Sequence, residues 1–261
     1  MGLGRRHSPG DRGISPLVGT VTLLAIVFLA LGALLAFGGS GASDARDALT
    51  EQGAQNELDT IQTEFQPLID GTTRQTRVPL DLNNVGTGTT FTANGSQGNI
   101  TIEVNGTEVA SSTLGTISYE NKRSLIGYQG GGIFQTAKNG GGAGLLASPP
   151  MTYTNYSAPT LDITVVNITG STAPRGTLYA ERTDIRTLHS PPSIGTDGTV
   201  TVTINSEFAR SWERHFIENI GLDESDVTVS NDGTTVTAQY TAPHAGRAFA
   251  RISEVRITVS S

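Results

Sequence analysis

Residues 14–37 read ISPLVGTVTLLAIVFLALGALLAF, 24 residues without one charged side chain. At about 1.5 Å of rise per residue such a helix covers roughly 36 Å, enough to cross a hydrocarbon core of about 30 Å. The segment is therefore read as a transmembrane helix. A secretory signal has an apolar stretch of only about 7 to 15 residues ahead of its cleavage site. Ser40-Gly41-Ala42 would serve as such a site, and a secreted product is the competing reading. Arg5, Arg6 and Arg12 precede the span against Asp11 alone, and basic flanks resist translocation. The N-terminus is thus expected in the cytoplasm, and the bulk of this single-pass chain outside the cell membrane.

Beyond the span, Leu58, Ile61, Phe65 and Leu68 recur at offsets of three and four, the stripe of an amphipathic helix. Residues 38–69 are expected to extend the first helix outside the membrane. Gly38, Gly39 and Gly41 weaken it at the exit by about 1 kcal/mol each relative to Ala. Pro67 should mark its end or a kink. From residue 70 to 261 the pattern changes to period two. Val78 to Leu82, Asn99 to Val104, Thr116 to Tyr119 and Leu161 to Val166 alternate apolar and polar side chains with many β-branched residues. The fold class expected is mainly β with some α: an antiparallel, sandwich-like head carrying one amphipathic helix. The glycine triplets at 130–132 and 140–142 divide Ser124 to Tyr128, Ile133 to Ala137 and Ala143 to Ala147 into a meander. Phe208, Trp212, Phe216 and Ile220 place that helix over residues 206–220, with Ser206 as N-cap and Gly221 as stop. Further strands are expected at Thr199 to Ile204, Asp226 to Ser230, Thr234 to Tyr240 and Ile252 to Val259, with an Asn231-Asp232-Gly233 turn. The chain ends on a strand, so one anchor is expected to hold it.

Composition narrows the function. With no cysteine, disulfides, thiolate chemistry and cysteine-ligated metals are excluded. The formal net charge is -7, and of 17 basic residues only Lys122 and Lys138 are lysines, a surface that opposes nucleic-acid binding. Such an acidic, lysine-poor composition resembles that of proteins from salt-loving archaea. The histidines, His7, His189, His215 and His244, are scattered and form no zinc motif. Neither glycine triplet opens a phosphate loop, and no Gly-x-Ser-x-Gly elbow appears. Asp223-Glu224-Ser225-Asp226 lacks the spacing of a calcium loop. No enzyme activity, cofactor or metal is expected. Five Asn-x-Ser/Thr sequons, at Asn94, Asn99, Asn105, Asn155 and Asn167, are N-glycosylation candidates for an exported glycoprotein.

The stretch Asp11-Arg12-Gly13-Ile14-Ser15-Pro16-Leu17-Val18-Gly19, leading straight into the apolar helix, resembles the N-terminus of haloarchaeal type IV pilin-like proteins with a class III signal peptide. The resemblance implies that a prepilin-type peptidase cuts between Gly13 and Ile14, that 1–13 is a cytoplasmic leader, and that Arg12, Gly13, Ile14, Ser15, Pro16 and Gly19 form the motif. Removing a charged leader would leave an apolar helix free to be drawn from the bilayer and bundled with copies of itself. Bacterial pilins carry Glu at the fifth mature position, where this chain has Val18; archaeal relatives commonly lack it. Three further segments resemble an uncharacterised group of haloarchaeal envelope proteins with pilin-like N-termini: YQGGGIF at 128–134, SPPM at 148–151 and SEFARSW at 206–212. The expected function is a structural or adhesive cell-surface subunit, a minor or accessory part of a type IV pilus-like filament. Its partners would be the membrane, the peptidase, and other pilin-like subunits or itself. The alternative is a membrane-anchored envelope protein whose β head binds a ligand or partner.

Overall fold

A computed structural model describes residues 48–81, 90–138, 142–154, 159–173, 176–189, 193–242 and 248–261. The leader, the span and residues 38–47 of the extension lie outside the described residues. Thr50–Ser261 forms one compact unit. Among the described residues, no helix is long and apolar enough to cross a membrane.

The first described element, α1, covers residues 48–69. Its stripe of Ala54, Leu58, Ile61, Phe65 and Leu68 is wholly buried, while Gln52, Asn56, Asp59, Thr60 and Thr63 on the other side are exposed. Pro67 does not kink it out of the body; it sits in the last turn, and its carbonyl accepts from Thr73 N at 3.0 Å and Thr72 Oγ1 at 3.1 Å. Gly71, at φ +80°, reverses the chain after that turn. The Arg182 guanidinium donates to Leu68 O at 3.2 Å, a cation where the helix dipole is negative.

The rest is mainly β, and among the described residues it is built as three sheets instead of one antiparallel sandwich. The first has the order β1 (Gln75–Pro79), β12 (Thr177–His189), β16 (Phe249–Ser260), β10 (Thr160–Thr169), β9 (Met151–Thr154). The second runs β11 (Ser171–Thr172), β2 (Thr90–Asn94), β5 (Thr116–Glu120), β6 (Ser124–Gln129), β7 (Gly132–Ala137), β8 (Ala143–Ala147). The third runs β14 (Val227–Val229), β15 (Thr235–Thr241), β13 (Thr199–Ser206), β3 (Gly98–Val104), β4 (Thr107–Thr113). The meander expected from the glycine triplets is β6–β7–β8. The departure from antiparallel pairing is β10 with β16, parallel from Thr160 opposite Phe249 to Thr169 opposite Thr258. Parallel neighbours need a long crossover, and here the intervening chain forms β12 to β15 and a short helix, α2 (Ala209–Arg214).

That central pair serves two cores. Leu161, Ile163 and Val165 of β10, with Ala250 and Ile252 of β16, enter a core shared with the third sheet and α2. Val166 and Ile168, with Val255, Ile257 and Val259, enter a second core with α1 and the second sheet. Successive side chains alternate faces, so the first sheet buries one face near one end and its opposite face near the other. At the changeover lies Glu254, 1% exposed, which accepts from Ser112 Oγ at 2.6 Å and Arg186 Nε at 2.7 Å, with Asn167 Nδ2 at 3.4 Å and an Arg256 nitrogen at 3.5 Å. Burial pushes its pKa up, but the hydrogen bonds from Ser112, Arg186 and Asn167 outweigh it and hold the carboxyl below its ordinary value.

Truncating a large ring in the α1 stripe leaves a cavity that the sheets cannot fill. Phe65→Ala should cost about 3–5 kcal/mol in chemical denaturation, whereas Thr63→Ala on the exposed side should stay within about 0.5 kcal/mol of wild type.

Candidate functional site

The three internal motifs, far apart in sequence, meet at one place. Gln129, 1% exposed at the end of β6, accepts from Ser206 Oγ at 2.7 Å and Trp212 Nε1 at 3.2 Å, and donates to Thr116 Oγ1 at 2.8 Å. The glycines around it leave room for these neighbours. A Cβ on Gly130 would stand 2.8 Å from the Trp212 ring, one on Gly131 2.4 Å from Pro150, and one on Gly132 2.8 Å from Pro149. Gly130 and Gly131 also turn the chain at φ +59° and +92°. Phe134 then stacks within 4.6 Å of Trp212 and 5.8 Å of Phe208. The segments at 128–134, 148–151 and 206–212 are therefore the pieces of a single packed node.

Ser206 is not the N-cap expected from sequence. It is the last residue of β13; the helix starts after Phe208, whose N–H donates to Ser206 Oγ at 3.0 Å. The helix leaves α2 as a π-helical turn, His215–Ile220, and stops at Gly221 with φ +81°, as expected. His215 follows Trp212 by three residues and so shares its buried face. It is fully buried with its ring 6.0 Å from Trp212 and 5.8 Å from Phe216, and among the described residues neither ring nitrogen has a hydrogen-bond partner. Burial lowers its pKa from 6.5 to about 4, so the fold holds it neutral.

Above the node lies a polar groove, resolved as two adjoining cavities of about 580 and 410 Å³. Its floor is one face of the second sheet, where Thr92, Ser118 and Thr136 are half-buried and Thr116 is buried. Sheet register sets these hydroxyls, since Thr92 pairs with Ser118 and lies 3.3 Å from it across the strands. One wall is the start of α2, with Glu207, Arg210, Glu213 and Arg214; another is the 231–233 turn; Lys138, ion-paired with Glu120, closes the side. Asp232 braces its turn by accepting at Oδ1 from Ser230 Oγ at 2.5 Å, Thr234 N at 3.0 Å and Thr234 Oγ1 at 2.9 Å. The Ser230 and Thr234 bonds lower its pKa.

The candidates from sequence fare unevenly. Arg12, Gly13, Ile14, Ser15, Pro16, Gly19 and Asn155 lie outside the described residues, as do His7 and His244. Asn94 is half-buried, and its Oδ1 accepts from Ser96 N at 3.1 Å; Asn99 is exposed on β3. Asn105, exposed at φ +52°, donates to Ile194 O at 3.2 Å and accepts from Thr199 N at 2.9 Å. Asn167 must be withdrawn as a glycan site in the folded protein: it is 3% exposed, and its amide nitrogen is bound to Ser112 Oγ at 3.0 Å beside Glu254. Glu224–Asp226 is an exposed 3-10 turn, and among the described residues no group of three or more His, Asp or Glu gathers to hold a metal ion. The groove was missed in sequence because its walls come from four separate segments.

Two measurements check this reading. Gln129→Leu strands the Ser206 and Trp212 donors at about 1–3 kcal/mol each. It should lower the unfolding midpoint and shift the emission of Trp212, the one tryptophan in the chain. Because folding disfavours the imidazolium of His215, the unfolded chain binds the extra proton between its ordinary 6.5 and about 4. Stability should therefore fall as pH drops through that window, by up to about 1.4 kcal/mol per pH unit; His215→Leu should remove that part of the slope.

No curated protein and no solved structure matches the chain significantly. The chain belongs to a family of unknown function (DUF7289), which it matches over residues 12–260.

Proposed function

We propose that this protein is a pilin-like cell-surface subunit, structural or adhesive and not catalytic, and a minor or accessory component of a type IV pilus-like filament. The observation that carries the reading is the order of parts along one chain. An uncharged stretch long enough to span a bilayer is followed by an amphipathic helix whose apolar stripe is fully buried in a β-rich body. The family match, which begins at Arg12 and runs to Ser260, supports treating the N-terminal motif and the body as one inherited unit. In this reading a prepilin-type peptidase cuts after Gly13 on the cytoplasmic side. Residues 14–37 then pass from lipid contacts to contacts with other pilin-like subunits or copies of the chain, through small residues such as Gly19 and Gly32. The body is held outside the cell, with sugars on Asn94, Asn99 or Asn105. Its size, far beyond what helix bundling alone needs, favours an accessory role over that of the repeating filament subunit.

The groove gives the second reading its specific support: a single-span envelope protein that keeps its anchor uncut and uses the β body to bind a ligand or partner. The N-terminal residue of the protein recovered from membranes separates the two. Processing as a pilin-like subunit predicts a start at Ile14 and its loss in a Gly13→Trp variant, together with loss of surface filaments. An intact Met1 or Gly2 would move the protein to the anchored binding module, and a start near Ser43 to a secreted body.

A further inference from the structure

We infer that the groove between the second sheet, α2 and the 231–233 turn is a binding site for a neutral oligosaccharide. This names a partner for the outward body and rests on the proposed export of that body, although binding itself needs no filament.

The SEFARSW segment divides its residues between two tasks. Ser206, Phe208, Ala209, Ser211 and Trp212 are buried and build the node, whereas Glu207 and Arg210 are exposed and line the groove. Packing explains the first set. The second set takes no part in that packing and stands at the groove wall. Gly233 deepens the same wall: a Cβ there would stand 3.7 Å from Arg210 Nε.

The chemistry of the lining selects the ligand. Glu120, Glu207, Glu213 and Asp232 face Lys138, Arg210 and Arg214, four carboxylates against three cations, a near balance with one net negative charge that disfavours an anionic ligand. Two of the cations are already engaged, Lys138 with Glu120, and Arg214 with Ala143 O at 2.8 Å. A peptide adding to a sheet needs a free edge with unpaired backbone groups, but the floor here is the face of inner strands β5 and β6, paired on both sides. What that face offers is part-exposed hydroxyls from Thr92, Ser118 and Thr136, the first two bonded to each other at 3.3 Å, and the exposed amide of Gln97, over a base of buried Thr116, Leu125 and Phe208. A sugar ring presents the complement: adjacent hydroxyls that donate to carboxylates and accept from guanidinium or ammonium groups, and C–H faces that cover methyls. Both cavities fall in the size range of small-ligand sites, and they adjoin through Thr136, Lys138, Glu207 and Asp232, which line both.

The test uses the full chain in detergent micelles, titrated by calorimetry with neutral tetrasaccharides of glucose, galactose, mannose and N-acetylglucosamine, and with a tetra-uronate of matched length. At least one neutral tetrasaccharide should bind. Its affinity should fall about tenfold or more in Glu207→Gln and in Arg210→Ala, since each removes a charged hydrogen-bonding partner. Both residues are exposed, so the thermal midpoints should match wild type. Tyr179→Ala, on the exposed face of the first sheet, should bind as wild type does. Absence of binding to every neutral probe, preference for the uronate, or affinity lost in Tyr179→Ala and kept in the groove variants would each overturn the assignment. Because N-terminal processing is read separately, failure here leaves the pilin-like reading standing, and failure there leaves this site standing.

Discussion

A β-strand offers each side of its sheet only every second side chain, and the two central strands of this protein have to seal cores on both sides. β10 and β16 meet that constraint by burying alternate positions up to Val165 and Ile252, and the other set from Val166 and Val255 onward. The changeover has a cost. Where one face stops being covered by apolar neighbours, a side chain of that face is stranded between core and solvent. Here it is Glu254, enclosed by Ser112 from the third sheet and by Arg186 and Arg256 from its own. A buried carboxylate stays charged only when hydrogen bonds replace water. The cluster therefore stitches the third sheet to the first where apolar packing between them gives out.

The Gln129 node does for the second sheet what Glu254 does for the first, without formal charge. A neutral amide can accept two bonds and donate at the same time. Gln129 does so toward β5, the end of β13 and α2. The ring of α2 that donates to it is also the ring that Gly130 must leave room for. The hydrogen bond and the close approach thus depend on one another. Losing the amide frees the ring, and adding a side chain at 130 pushes the ring off the amide.

Much of the local architecture was legible in sequence. The three- and four-residue spacing of Leu58, Ile61, Phe65 and Leu68 is the buried stripe of α1, and the glycine triplet at 130–132 is a turn between two strands. β12 was not legible. It carries Arg182, Asp184 and Arg186, and register shifts after Arg182 and Thr187 break its alternation, so no period survives over its thirteen residues. The parallel pairing of β10 and β16 was equally hidden, because period two is the same whichever way a neighbour runs. Ser206 looked like an N-cap because cap and strand-end serine share a local pattern; its actual partner, Gln129, lies 77 residues away. The groove had no sequence signal of its own, since exposed Thr and Ser on a strand read as ordinary surface. Asn167 shows the converse error: a sequon is defined by three letters, and burial is not among them.

The division of labour within residues 206–212 bears on how such a body could act at a cell surface. A site on a strand-to-helix junction locked by Gln129, Phe134 and the prolines at 149 and 150 gains precision from rigid elements and loses little order on binding. Its exposed polar lining, however, exchanges bonds to water for bonds to ligand, and the net gain per bond is small. One such groove, if it binds as inferred, would bind weakly by itself. Anchoring changes that arithmetic, because copies fixed to one membrane or one filament present their grooves together, and linked weak contacts multiply through effective concentration. The proposed anchor would therefore strengthen binding at the inferred groove, although neither depends on the other. A single copy bearing this site would release its ligand sooner than an array of anchored copies.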